Sequence, residues 1–373
     1  MNLGISKTIA LLLLILLGVL LKKKIKSKEA LGGIKVLILS VALPATIFVA
    51  LLKVNISPEL LMLPVLALAI NFTMFGGAKI FTTLSGEKNK VNRRTMLLLM
   101  PSFAPGLSCF PFLTEYLGEK SLAIAALADV GNKVFGLIIL YLIAMSWHYA
   151  IKKKTSTAES GTNKYKSLVM ALISEPINIV IVLAVMMLYL GYNYVSLPQF
   201  GQDAISKLSL MMTPLVLIFI GIAVKVGKKD VMKILQILFW RSGFAFLVST
   251  VLLLLLPKEV SVITLLVAIA LPQSSCSFWP FAHMVAVSKL DEGSDIKTFN
   301  LDLAVNILAF SLPFSTMIIL LICSTGTYFA NPTVLLLIGL TFISIGIAPS
   351  LLRFFKSKKV AEFDLPLSKE AAG

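Results

Sequence analysis

The chain has 373 residues, of which 58% are hydrophobic and only 14% charged, a ratio that would leave a water-soluble packing with far too much apolar surface facing solvent. Its formal net charge of +16 invites a nucleic-acid reading, but the Lys and Arg residues stand in short clusters between apolar runs with no stacking aromatics among them, so no nucleic-acid partner is expected. A lipid bilayer is the solvent that fits. Spanning segments must bond every backbone N–H and C=O within the protein, and the absence of short period-two segments argues against a barrel; the expected fold class is an all-α polytopic membrane protein.

In chain order, apolar runs fall near 4–21, 33–52, 59–83, 95–116, 120–150, 167–191, 206–226, 232–256, 260–286, 298–323 and 331–352, each of roughly the length that crosses a hydrocarbon core. The first run is followed by Lys22, Lys23 and Lys24 and shows no small-residue cleavage site, so it reads as a retained helix. Alternate loops are basic: Lys22 to Lys28, Lys88 to Arg94, Lys152 to Lys166, Lys225 to Lys233, Lys289 to Lys297, and the tail Arg353 to Lys359. The intervening loops keep little beyond Lys53, Lys120, Lys207 and Lys258. An odd number of spans, with the N-terminus outside and the C-terminus cytoplasmic, satisfies the positive-inside rule at every one of these loops. The polar stretch in the middle then divides the chain into a first five-helix group over 1–150, a cytoplasmic linker over 151–166, a second five-helix group over 167–325, and an extra helix with its tail over 326–373. Two groups of five, joined this way, would be related by inversion.

The fourth run contains Pro101, Ser102, Phe103, Pro105, Ser108, Cys109, Pro111 and Phe112; the ninth contains Pro272, Gln273, Ser274, Ser275, Cys276, Phe278, Trp279, Pro280 and Phe281. Paired prolines, small hydroxyl residues, a cysteine and a closing Pro-Phe thus recur at matching positions. Proline removes a donor and clashes with the preceding turn, so both spans should be interrupted. Peptide groups freed at that depth are tolerable where they line a cavity or meet protein partners. The second and seventh runs match more loosely, around Pro44 and Pro214, and read as kinked helices.

Two sets of polar residues lie inside runs: Asp129, Asn132 and Lys133 in the fifth, and Asn300, Asp302 and Asn306 in the tenth. A membrane carboxylate needs a partner, and Lys133 is one turn from Asp129. These residues could bind a coupling ion, or could simply pin helices to their neighbours. Arg241, beside Trp240, and Lys79 read as interfacial anchors that snorkel. His148 and His283 are isolated from other metal-ligating types, the three cysteines show no disulfide or metal spacing, and no triad or phosphate loop is present. Neither an enzyme nor a metal or cofactor is expected.

The runs Leu39 to Phe48, Ala128 to Phe135 and Ile269 to Gln273 resemble the auxin efflux carrier family, which includes bacterial organic-acid permeases, and the likeness extends over about the first 325 residues. The resemblance implies a 5+5 inverted-topology repeat with two crossing broken helices, shared with bile acid symporters and sodium/proton antiporters, plus one extra C-terminal helix here. It implies residence in a bacterial inner membrane and an elevator-like movement carrying a small organic anion, with Pro101, Pro272 and Gln273 at the crossover. An Asn common in that family after the first crossover proline is absent, replaced by Ser102, Phe103 and Ala104. On this reading the anion is held by backbone N–H groups with Ser102, Ser108, Gln273, Ser274 and Ser275, against an apolar wall of Phe103, Phe110, Phe278 and Trp279. Alternatives are a symporter or antiporter in which Asp129 and Asp302 bind Na+ or H+, and a non-transporting membrane sensor; a homodimer is compatible with all three.

Overall fold

The computed structural model describes residues 3–25, 27–53, 62–152, 176–223, 231–257, 260–291 and 297–363. From residue 153 on, the expected linker lies outside this set, as do Lys225, Lys228 and Lys229 and the tail beyond 363. Among the described residues every regular element is helical. Eight helices are long and apolar enough to cross a membrane, which makes this a multi-pass membrane protein. Two further apolar helices are shorter, Ile9–Leu21 and Ile179–Tyr189. The fourth expected span is not a single helix.

The chain begins with α1 (Leu3–Leu21), then α2 (Lys28–Leu37), which passes through a π-turn at Ile38–Ala42 into α3 (Leu43–Leu52). Next come α4 (Leu63–Leu84), α5 (Lys90–Leu99), the single turn α6 (Pro105–Ser108) and α7 (Phe110–Leu117). α8 (Glu119–Val134) continues through a second π-turn, Phe135–Ile139, into α9 (Leu140–Lys152). The second half holds α10 (Pro176–Tyr189), α11 (Gln199–Leu210), α12 (Met212–Ala223) and α13 (Val231–Leu255). It ends with α14 (Val262–Ala270), α15 (Phe278–Asp291), α16 (Leu301–Thr325) and α17 (Pro332–Phe363).

Helix starts follow capping chemistry. Ser27 accepts from Ala30 N at 3.0 Å, Asn89 from Val91 N at 2.9 Å, Ser261 from Thr264 N at 3.3 Å, and Asn300 from Leu303 N at 3.1 Å. The seventh span starts at Gln199, seven residues before the apolar run. Its first turns bury no residue and are held by polar contacts: Gln199 Nε2 donates to Asp203 Oδ1 at 3.1 Å and Gln202 Nε2 to Leu197 O at 2.7 Å. Hydropathy is blind to a helix closed this way.

Packing falls into two sets. In one, α1 lies on α12, and α3 on α10 and α11; in the other, α4 lies on α8 and α13, α13 runs along α17, and α15 lies on α9. α8 also touches α3 and links the sets. The α4–α8 approach is so close that a Cβ on Gly131 would run into the backbone carbonyl of Pro64. Gly131→Ala is therefore expected to lower the melting temperature measured in detergent, by an overpacking cost of about 1–3 kcal/mol. An unchanged melting temperature would mean that these helices stand further apart.

Candidate functional site

Both proline-rich runs lose helical conformation in mid-span. α5 ends at Leu99, residues 101–104 lead to Pro105, and Cys109 at φ −124° separates α6 from α7. In the ninth span α14 stops at Ala270, one 3₁₀ turn covers Leu271–Gln273, and Ser274 to Ser277 are non-helical before α15 begins. Pro105 at the first position of α6 and Pro280 in the first turn of α15 sit where a missing N–H costs nothing.

The two breaks are stitched to each other. Ala104 N donates to Ser275 O at 2.8 Å, Ser275 N to Ser108 Oγ at 2.9 Å, and Ser277 N to Ser102 Oγ at 3.1 Å. Cys276 N donates to Ser311 Oγ of α16 at 3.2 Å. Gln273, 1% exposed, exchanges hydrogen bonds with α13: Ser242 Oγ donates to its Oε1, and its Nε2 donates to Ser242 O at 3.1 Å.

The carbonyls of the first break are each met by a side chain. Arg241 Nε donates to Met100 O at 2.8 Å and Nη2 to Ser102 O at 3.0 Å; Asn71 Nδ2 donates to Pro101 O at 2.8 Å, and Asn132 Nδ2 to Phe103 O at 2.9 Å. Asn132 also accepts from Phe103 N at 3.3 Å and from Asn71 Nδ2 at 3.1 Å, and donates to Asp129 Oδ1 at 2.7 Å. The other Asp129 oxygen lies 3.6 Å from Lys133 Nζ, and both side chains are buried. Four consecutive peptide carbonyls, which helix geometry leaves without partners, are thus satisfied from α4, α8 and α13.

Against this junction lies a cavity of about 440 Å³, within the range of small-molecule sites. Polar and charged lining comes from Asp129, Asn132, Lys133, Lys35 of α2, Ser275 and Ser277. Its apolar wall includes Phe103, Phe219, Phe278, Trp279 and leucines of the first π-turn, α3, α6 and α16. Lys35 Nζ stands 4.4 Å from the centroid of the Phe278 ring, so its charge sits on an aromatic face. Gly106 and Leu107, also in the lining, occupy the first turn of α6, where helix N–H groups point outward without intrahelical acceptors.

The structure divides the residues expected from sequence. Phe103, Ser275, Phe278, Trp279, Asp129, Asn132 and Lys133 line the cavity. Pro101, Ser102, Ser108, Pro272, Gln273 and Ser274 do not: they are buried in the junction behind it, as is Phe110. Of the serine hydroxyls expected to hold a ligand, those of Ser102 and Ser108 are already committed to backbone donors of the opposite break. Asp302 is exposed in the first turn of α16, and Asn306 is half-buried further along it; neither reaches the cavity. Asn300 caps that helix and bonds Asn92 across to α5 at 2.8 Å.

Arg241 is a correction of a different kind, since it is 2% exposed and inserted into the junction instead of anchoring at the interface. Lys35 was missed because it falls at the edge of the second apolar run. Its signal was a lone cation two residues inside that run. The histidines serve packing contacts: His283 Nε2 donates to Gly136 O at 3.0 Å, and His148 Nδ1 pairs with Asp291 at 2.8 Å. Among the described residues no three His, Cys, Asp or Glu side chains converge as metal ligands. Comparison with protein-family models and with curated proteins finds no match for this chain, so the functional reading rests on the site itself.

Proposed function

We propose that this protein is a secondary transporter for a small organic anion, bound in the cavity beside the two stitched helix breaks. The reading rests on one observation: the cavity at the junction carries two ammonium groups, Lys35 and Lys133, against the single carboxylate of Asp129. The apolar wall suits the body of a carboxylate. We read the architecture as an inverted repeat of the auxin efflux carrier type, with the C-terminus cytoplasmic. The α4, α8, α13 and α17 set would move against α1, α3, α10 and α12, consistent with the way these helices pack. In the coupled alternative Asp129 would bind the ion from the cavity lining, while Asp302 is exposed at a helix start and does not reach the cavity.

The test is uptake of radiolabelled carboxylates, benzoate and succinate among them, into proteoliposomes, alongside thermal-shift titration. The wild type is expected to accumulate at least one of them under an inside-positive potential. Lys35→Met, which removes a charge at the cavity edge, should weaken its binding by about tenfold with little change in melting temperature. Saturable binding without flux would favour a sensor, and binding unaffected by Lys35→Met would remove the anion from this cavity.

A further inference from the structure

In carriers built on interrupted membrane helices, carbonyls at the C-terminal end of a half-helix are the groups that chelate a coupling cation. Here α5 supplies such an end, at Met100, and the break continues it with the carbonyls of residues 101 to 103. None is left open. Asn71 and Asn132 cover Pro101 O and Phe103 O, while the guanidinium of Arg241 spans Met100 O and Ser102 O and lies 5.4 Å from the ring centroid of Phe103, a residue that lines the cavity. Among the described residues no Asp or Glu forms an ion pair with Arg241. A buried charge without a carboxylate is tolerated only where dipoles of opposite sign surround it, and the freed carbonyls are those dipoles.

We propose that Arg241 is a built-in counter-cation: it takes, by covalent attachment, the place of an exchangeable sodium or potassium ion at the carbonyl end of the first break. Guanidinium is charged at every physiological pH and carries several donors in a fixed plane, so the junction keeps its positive charge through every cycle. The cavity in front of it then needs no co-transported metal cation. This inference rests on the transporter reading for its consequence in flux, while the occupancy of the carbonyl site is a property of the protein alone.

Two measurements separate the two claims. Initial uptake of benzoate and succinate is compared in sodium, lithium and choline media at matched potential; rates should agree to within about twofold, and a requirement for sodium or lithium would overturn the proposal while leaving transport standing. Arg241→Ala should lose at least about tenfold in uptake and regain it with millimolar guanidinium, which should leave the wild type unaffected. If wild type carries neither probe, the transporter reading fails, and the site is judged by melting temperature alone. There, guanidinium should raise the melting temperature of Arg241→Ala and not that of the wild type; no rise would overturn the proposal. Should Arg241→Ala not fold, Arg241→Lys replaces it, with wild-type melting temperature in sodium against choline as the second readout. Equal wild-type values support the proposal, and a sodium-specific rise refutes it.

Discussion

Asn132→Ala is expected to leave the protein without a stable fold in detergent at temperatures where the wild type persists. The side chain bonds both backbone groups of Phe103, accepts from Asn71 and donates to Asp129. Truncation leaves the Phe103 peptide and one Asp129 oxygen buried without these partners, at a cost of about 1–3 kcal/mol for each orphaned group. Their sum approaches the whole stability of an ordinary domain, about 5–15 kcal/mol. Asn132→Asp keeps the volume and the acceptor but turns the donor into a second carboxylate facing Asp129, so it too should be strongly destabilised. Both are read by intrinsic fluorescence melts, for which Trp240 and Trp279 flank the junction. A melting temperature for Asn132→Ala within a degree or two of wild type would show that the break does not depend on this residue.

Some of this arrangement is legible in the sequence because a bilayer imposes it. Lipid forces apolar runs of fixed length, and proline has one backbone consequence wherever it sits, so the spans and the two proline-rich segments stand out from residue types alone. The partners of the breaks do not. Whether Ser102 meets a ligand or a peptide N–H is decided by Ser277, 175 positions away, and nothing local to either residue encodes that. Arg241 beside Trp240 has the look of an interface pair, yet the run 232–256 already sets it in the middle turns, as α13 from Val231 to Leu255 does; what spacing leaves open is the pair of carbonyls it meets, Met100 O and Ser102 O. Asp129 and Asp302 already differ by position within their runs, nine residues into the one near 120–150 and four into the one near 298–323. α8 begins at Glu119, which places Asp129 roughly 15 Å along the helix axis, and α16 begins at Leu301, which leaves Asp302 in its first turn. Sequence spacing locates each carboxylate along its helix but does not say which of them faces a cavity.

Ser102→Ala and Ser108→Ala are expected to separate the structural role of the junction from ligand contact. Each hydroxyl accepts the peptide N–H of one residue in the opposite break, Ser277 for the first and Ser275 for the second, while donating to a carbonyl of its own segment, Leu99 O at 2.7 Å and Ala104 O at 2.9 Å. Either substitution strands a buried N–H and should lower stability by about 1–3 kcal/mol. Because both hold the same contact, losing one loosens the seat of the other, and the double variant should cost less than the two singles added. Neither hydroxyl reaches the cavity, so whatever protein remains folded should bind the anion with wild-type affinity, measured by calorimetry well below the lowered melting temperature. Lys35→Met should show the opposite pattern, with affinity lost and stability kept. A serine variant with normal stability and weakened binding would move the ligand from the lysine-lined cavity into the junction itself.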